Sequence, residues 1–242
     1  MKPVIDIHSH ILPGLDDGCQ NREEALVMLK MYEAQGAEAV VCTPHFGPCG
    51  NSGADTEGAF RWLKSVPSPV RLCLGNEVLA GCFGPEQVNA PDGPRTLAGT
   101  DVLLVEFDEY GSVHTDAETI LRTVTALNRS RWNIILAHPE RYESLKQQPE
   151  ICREIVRNGI PLQVNAYDVF ENKNESTRSM TQWLLENRLV SYLGSDAHGA
   201  HKRPPALSTG VRWIYDHCPE DYADAIVHDN AAKLSAGGTT GK

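Results

Sequence analysis

Seven short apolar runs, each parted from the next by a longer polar or amphipathic stretch, constrain this chain more than any other feature. The runs occupy 4–8, 39–43, 70–74, 101–106, 133–137, 161–165 and 190–194. Their near-continuous hydrophobicity is that of strands buried on both faces, as in a parallel sheet. Between them, 23–35 places Ala25, Leu26, Leu29 and Tyr32 at helical spacing and closes on Gly36. The segments 116–128, 149–158 and 177–187 repeat that pattern, and 205–235 reads as two or three short helical pieces. Strand and helix alternating about seven times imply an α/β fold whose parallel sheet closes into a barrel. At 242 residues a single domain over 1–236 is expected, with 237–242 a disordered tail. The stretch 46–60, rich in Gly, Pro, Ser and Asn, reads as a loop near the barrel mouth.

Composition removes several classes of function. No apolar run is long enough to span a bilayer and the first residues do not form a signal peptide, so a cytoplasmic protein without membrane insertion is expected. Seven scattered cysteines, an odd number with no CxxC pair, point to reduced and mostly buried thiols. A net charge of −10 argues against nucleic acid as a partner.

The strand ends carry the chemistry. His8 and His10 lie two apart at the tip of the first run, so their imidazoles leave on one face. The later runs end in Thr43-Pro44-His45, Gly75-Asn76-Glu77, Val105-Glu106-Phe107, His138-Pro139-Glu140-Arg141, Gln163-Val164-Asn165 and Ser195-Asp196-Ala197-His198. In a parallel α/β barrel the active site is built at the carboxyl ends of the strands. Ordinary surface charge would be scattered over the helices as well, so this concentration points to a polynuclear metal site.

Asp6-Ile7-His8-Ser9-His10, Asp16-Asp17-Gly18, Thr43-Pro44-His45, Gly75-Asn76-Glu77, His138-Pro139-Glu140-Arg141 and Ser195-Asp196-Ala197-His198 together resemble the PHP (polymerase and histidinol phosphatase) superfamily. The longer forms, Ile11 to Gly18 and His138 to Tyr142, resemble its bacterial tyrosine-protein phosphatase branch, whose members accompany capsule and exopolysaccharide synthesis. The resemblance runs from Val4 to about Arg203 and implies a distorted seven-stranded PHP-type (β/α) barrel holding three metal ions. Carried over by position, it implies a first ion on His8, His10, Glu77 and Asp196. It implies a second on Glu77, Glu106 and His138, and a third on Asp17, His45 and His198, with the adjacent Asp16 an alternative to Asp17. The ions are expected to be Mn2+, and a set of imidazoles and carboxylates also suits Fe or Zn. The interval from His45 to Glu77 is short for the family, which implies a truncated second helix and an altered pocket rim.

The implied activity is metal-dependent hydrolysis of phosphotyrosine in a protein, with the tail of a bacterial tyrosine kinase as partner; a homo-oligomer is compatible with it. Arg141 and Arg203 belong at the mouth as catalytic groups, their planar forks matching phosphate oxygens, and Asp6 is expected to orient a ligand. Three divalent ions outweigh the four carboxylates, which would let an acidic protein take an anionic substrate. Two other readings remain: a small-molecule phosphatase such as one for histidinol phosphate, and a non-catalytic metal-binding regulatory module. A cysteine-based phosphatase needs Arg six residues after its Cys, and none of the seven cysteines has one. His114, His201, His217 and His228 read as solvated, with His201 distinguished by its place beside Arg203.

Overall fold

The computed structural model of the chain describes residues 1–47, 50, 55–108, 115–130, 132–170 and 174–235. The expected tail at 237–242, His114, Cys49 and part of the expected loop at 46–60 lie outside the described residues. Among the described residues the strands are β1 (Val4–Ser9), β2 (Ala37–Cys42), β3 (His45–Phe46), β4 (Arg71–Leu74), β5 (Glu77–Leu79), β6 (Val102–Glu106), β7 (Asn133–Ala137), β8 (Leu162–Asn165) and β9 (Val190–Gly194). They pair in parallel as two sheets, ordered β1-β2-β4 and β3-β5-β6-β7-β8-β9.

All seven expected runs are strands, and the two additional strands come from bends. Pro44, which has no N–H for a ladder, separates β2 from β3, and Gly75-Asn76 separates β4 from β5. The bends are tied together: Gly75 N donates to Cys42 O at 2.9 Å and Asn76 Nδ2 to Pro44 O at 2.8 Å. Both strands therefore turn at one level, with β2 on β4 before the bend and β3 on β5 after it. Beyond it His45 and Glu77 stand in register as neighbours. Neither sheet closes on itself. The first and last strands meet at the end of β1 and just past the end of β9, through the parallel bridge between Ser9 and Ala197. There His10 N donates to Ala197 O at 3.0 Å and Asp196 N to His8 O at 2.8 Å.

Alternating strand residues fill two apolar layers. Ile5, Ile7, Ala39, Val41, Leu104, Ile135 and Ala137 form one cluster. Their neighbours Val40, Leu103, Val105, Ile134 and Leu136 pack in the other with Met28, Leu29, Ile120 and Val124 from the helices. Helix Arg22–Ala34 is capped by Asn21, whose side chain accepts from Glu24 N, and Ala117–Asn128 is capped by Asp116. The expected loop at 46–60 is corrected in its second half. Asp55 accepts from Gly58 N at 2.7 Å and starts the nine-residue helix Thr56–Lys64. Helices Glu143–Gln147 and Ala166–Phe170 were not expected; each has only five residues, too few for a periodic pattern. No described helix is long and apolar enough to cross a membrane.

Candidate metal centre

All nine expected donors converge at one end of the sheets, seven at or past the carboxyl ends of β1, β6, β7 and β9, and His45 and Glu77 just beyond the bends that follow β2 and β4. Glu77, at the first position of β5, is the hub. Its Oε2 lies 3.1 Å from His8 Nε2, 3.2 Å from His10 Nε2 and 3.2 Å from His45 Nδ1, while its Oε1 lies 2.7 Å from His138 Nε2. Asp196 Oδ1 stands 3.5 Å from both His8 Nε2 and His10 Nε2. His8, His10, Glu77 and Asp196 thus form one fully buried donor group, the set expected for the first ion. A second group is His45, Glu77 and Glu106, and a third is His10, His45 and His198. The partition therefore differs from the expected one. His45 Nδ1 is 2.9 Å from Glu106 Oε1, so His45 stands between the second and third groups, whereas His138 reaches Glu77.

The two adjacent aspartates separate cleanly. Asp17 Oδ1 faces His198 Nε2 at 3.3 Å and His45 Nε2 at 3.5 Å. Asp16 is turned behind the cluster, where Oδ2 binds His10 Nδ1 at 2.8 Å and accepts from His45 N at 2.9 Å. This turn needs glycine at position 18, because a Cβ there would lie 2.3 Å from His10 Cβ. Asp6 is buried at the seam, where Oδ1 accepts from His8 N at 3.0 Å and Ser195 N at 2.9 Å. Two donors sit on strained backbone: His138 has φ 31° and Asp196 has φ 50°. Such left-handed conformations cost about 1–2 kcal/mol each in an L-residue and collect at functional sites.

The field at the centre favours positive charge. Burial opposes ionisation of Glu77, but His8 and His45 override it and hold the carboxyl well below its ordinary range. Burial likewise opposes ionisation of Asp196, and Arg203, His8 and Arg141 override it. Glu106 is raised by burial and by the Glu77 charge. Despite burial, Asp16 raises His10 to about 9, and Glu77 with Asp17 raises His45 to about 12. His198 is pushed down to about 4 by burial and by the neighbouring His10.

Above the cluster opens a cavity of about 650 Å³, with Arg141, Lys202 and Arg203 on its wall beside Leu79 and Asp108. Arg141 is held by Asp168 (Nε to Oδ2, 2.9 Å) and Asp196 (Nη1 to Oδ2, 2.8 Å), and Arg203 Nη1 lies 3.2 Å from Asp196 Oδ2. His201 is exposed and outside the lining. No described cysteine lines the cavity, and burial lifts the thiols of Cys19 and Cys152 to about 12. Lys202 and the buried groups Asp168, Gln163 and Asn165 were not assigned roles from sequence. The signal for the last two was their spacing of two on a strand, the same as that of His8 and His10.

The model of the family described as "Capsular polysaccharide synthesis, CpsB/CapC" matches residues 4–236. The tyrosine-protein phosphatase CpsB of Streptococcus agalactiae serotype III (strain NEM316) is 28% identical over 243 residues, 96% of this chain and 98% of that one. The tyrosine-protein phosphatase YwqE of Bacillus subtilis (strain 168) is 27% identical over 207 residues, 83% of this chain and 79% of that one. Among solved structures, one from a study of Bacillus subtilis YwqE and Streptococcus pneumoniae CpsB, described as unique metal-dependent tyrosine phosphatases, superposes with a TM-score of 0.83. It covers 97% of this chain and 95% of that one at 23% identity, a likeness of fold.

Proposed function

The chain belongs to the CpsB/CapC family of capsular polysaccharide synthesis, and from that premise we propose that it is a metal-dependent protein-tyrosine phosphatase. One observation carries the reading: Glu77 Oε2 lies within 3.2 Å of three imidazole nitrogens, in a cavity walled by Arg141 and Arg203. Atoms bound about 2.1 Å from one divalent ion stand roughly 3.0–3.5 Å apart, the spacing seen here. Glu77 Oε2 and His45 Nδ1 are moreover buried without a hydrogen bond of good geometry, so they aim at common points rather than at each other. The donor set thus fits hard or borderline cations. His8, His10, Glu77 and Asp196 would hold the first, Glu77, Glu106 and His138 with His45 the second, and Asp17, His45 and His198 the third.

Bound divalent ions supply an electrophile for the phosphoryl oxygens and lower the pKa of the attacking water. The chain's own groups do the rest. Asp168 and Asp196 fix the direction of Arg141, and Asp196 that of Arg203, so the two guanidinium groups present charge to the phosphoryl oxygens without reorganising. Leu79 offers an apolar wall to the aryl ring. A tyrosine leaving group, with a pKa near ~10, needs less protonation than an alkoxide would.

The finer features follow the same reading. The ions are Mn2+, the substrate is the phosphorylated tail of a bacterial tyrosine kinase, and the site of action is the cytoplasm. Residues 1–236 act as one domain whose two sheets, meeting at Ser9 and Ala197, serve as a distorted seven-stranded barrel. A panel of phosphotyrosine peptides, phosphoserine peptides and histidinol phosphate, assayed with Mn2+, Fe2+ or Zn2+, tests this. Phosphotyrosine peptides should be hydrolysed fastest, and with Mn2+. Preference for histidinol phosphate by orders of magnitude would replace the protein substrate with a small molecule, and inactivity on all three would leave a regulatory module.

A further inference from the structure

Resting on the reading of His8 and Asp196 as ligands, we propose that Gln163 and Asn165 are positioning residues: a buried amide relay that sets the tautomer of His8 and couples it to Asp196. Both lie on β8 and both are fully buried. The direction of the relay follows from its far end. Asp196 Oδ2 takes Arg141 Nη1 at 2.8 Å, Arg203 Nη1 at 3.2 Å and Asn165 Nδ2 at 3.1 Å. An ionised carboxylate only accepts, so Asn165 must present its NH2 there, and its Oδ1 faces the other way. Into that oxygen Gln163 Nε2 donates at 2.8 Å, which turns Gln163 Oε1 toward His8 Nδ1 at 2.9 Å. A carbonyl oxygen cannot donate, so His8 carries its proton on Nδ1. The lone pair of His8 Nε2 then faces the donor group, 3.1 Å from Glu77 Oε2 and His10 Nε2.

The packing reserves this space. A Cβ at Gly194 would lie 2.8 Å from Gln163 Nε2 and 2.6 Å from His8 Cβ, so glycine is what allows the amide to reach the imidazole. Metal-ligating histidines are commonly braced by a carboxylate or a backbone carbonyl. A neutral amide in that place orients the ring without adding another negative charge to a crowded acidic centre.

The test uses the whole chain, metal-free with 15N-labelled histidine, and titrated with Mn2+. In the parent, the neutral His8 ring of the metal-free chain should carry its proton on Nδ1. Gln163→Met and Asn165→Leu should each mix the two tautomers and weaken Mn2+ binding about 10- to 100-fold. Gln163→Glu, which keeps an acceptor facing Nδ1, should restore the single tautomer. Parent-like affinity together with an unmixed tautomer in both Gln163→Met and Asn165→Leu would overturn the relay. Should Gln163→Met fail to fold, the tautomer in Asn165→Leu decides, because that variant leaves Gln163 in place and frees its amide to turn, whereas its Mn2+ affinity also feels the lost contact to Asp196. A parent that binds no Mn2+ would strike the ligand reading instead, and the tautomer of the metal-free chain would still judge the relay.

Discussion

The two sides of the donor cluster differ in what stands behind them. On the seam side, His8 and Asp196 are buried, Asp6 ties their strands together, and the amides of Gln163 and Asn165 run between them. On the mouth side, the Asp17 side chain is 62% exposed, and among the described residues it pairs with His45 and His198, themselves donors. Buried groups braced by others lose little freedom when an ion arrives, whereas an exposed carboxylate on a loop must be ordered at that moment. The seam side should therefore hold its ion tightly, and the mouth side should exchange with solvent and meet the substrate.

Stripping and refilling the metals tests this contrast with the largest effect. Chelation should lower phosphotyrosine hydrolysis at least about 10³-fold. On titration with Mn2+, the first equivalent should raise thermal stability, and activity should return only with later equivalents. Full activity after one equivalent would reverse the proposed order of the two sides. Glu77→Gln removes the charge shared by both sides, so kcat/KM should fall by about 10²- to 10³-fold with more than one metal equivalent lost. Loss of only one would show that the sides do not share it. Arg141→Ala should lower kcat/KM by about 10²-fold with metal content unchanged, as expected for loss of one charge-assisted phosphate contact. Parent-like turnover would make Arg141 a structural partner of Asp168 and Asp196 that does not meet the phosphate. Asp17→Asn should cost about tenfold and weaken only the last equivalent, measured by Mn2+ titration; a change in the first equivalent would erase the distinction.

The smallest effect is on stability without metal. The folded pKa of His10, about 9, and that of His45, about 12, lie above the ordinary imidazole value of 6.5. Their stabilisation is complete below about pH 6.5 and is lost as pH rises, through about 9 for His10. The melting temperature of the chelated protein should therefore fall by a few degrees between pH 6.5 and 9. With Mn2+ it should hold or rise, because ions bind the deprotonated imidazoles.

Strand positions were legible in the sequence where an apolar run is bounded by polar residues: 133–137 and 190–194 coincide with β7 and β9. The bends were not, because Pro44 and Gly75-Asn76 look alike whether a strand stops there or turns and resumes. Asp55 was hidden as a cap by the Gly- and Ser-rich residues before it. That the candidate donors gather in one place was legible, because strand tips in a parallel sheet all point to one end. Which side chains stand next to one another was not, since His45 and Glu77 became neighbours only through the shared bend. Asp16 and Asp17 could not be told apart by spacing, because the turn at Gly18 decides which faces inward. Asp168 and Asn165 carry no motif of their own; their roles follow from where Arg141 and Asp196 arrive.

The contact between Ser9 and Ala197 also bears on how the protein is made. Half of the innermost donor group comes from the first ten residues, and Asp196 arrives almost two hundred residues later. A nascent chain emerging from the ribosome cannot assemble that group until Asp196 is out, so an ion held there would arrive late in synthesis rather than guide it. Pairing of such distant segments is slow to nucleate, and while it is pending the edges of β1 and β9 stand open to neighbouring chains. An ion supplied to that group would then act as a latch where the two sheets meet, and a product truncated before Asp196 would be recognisable by its failure to hold that ion.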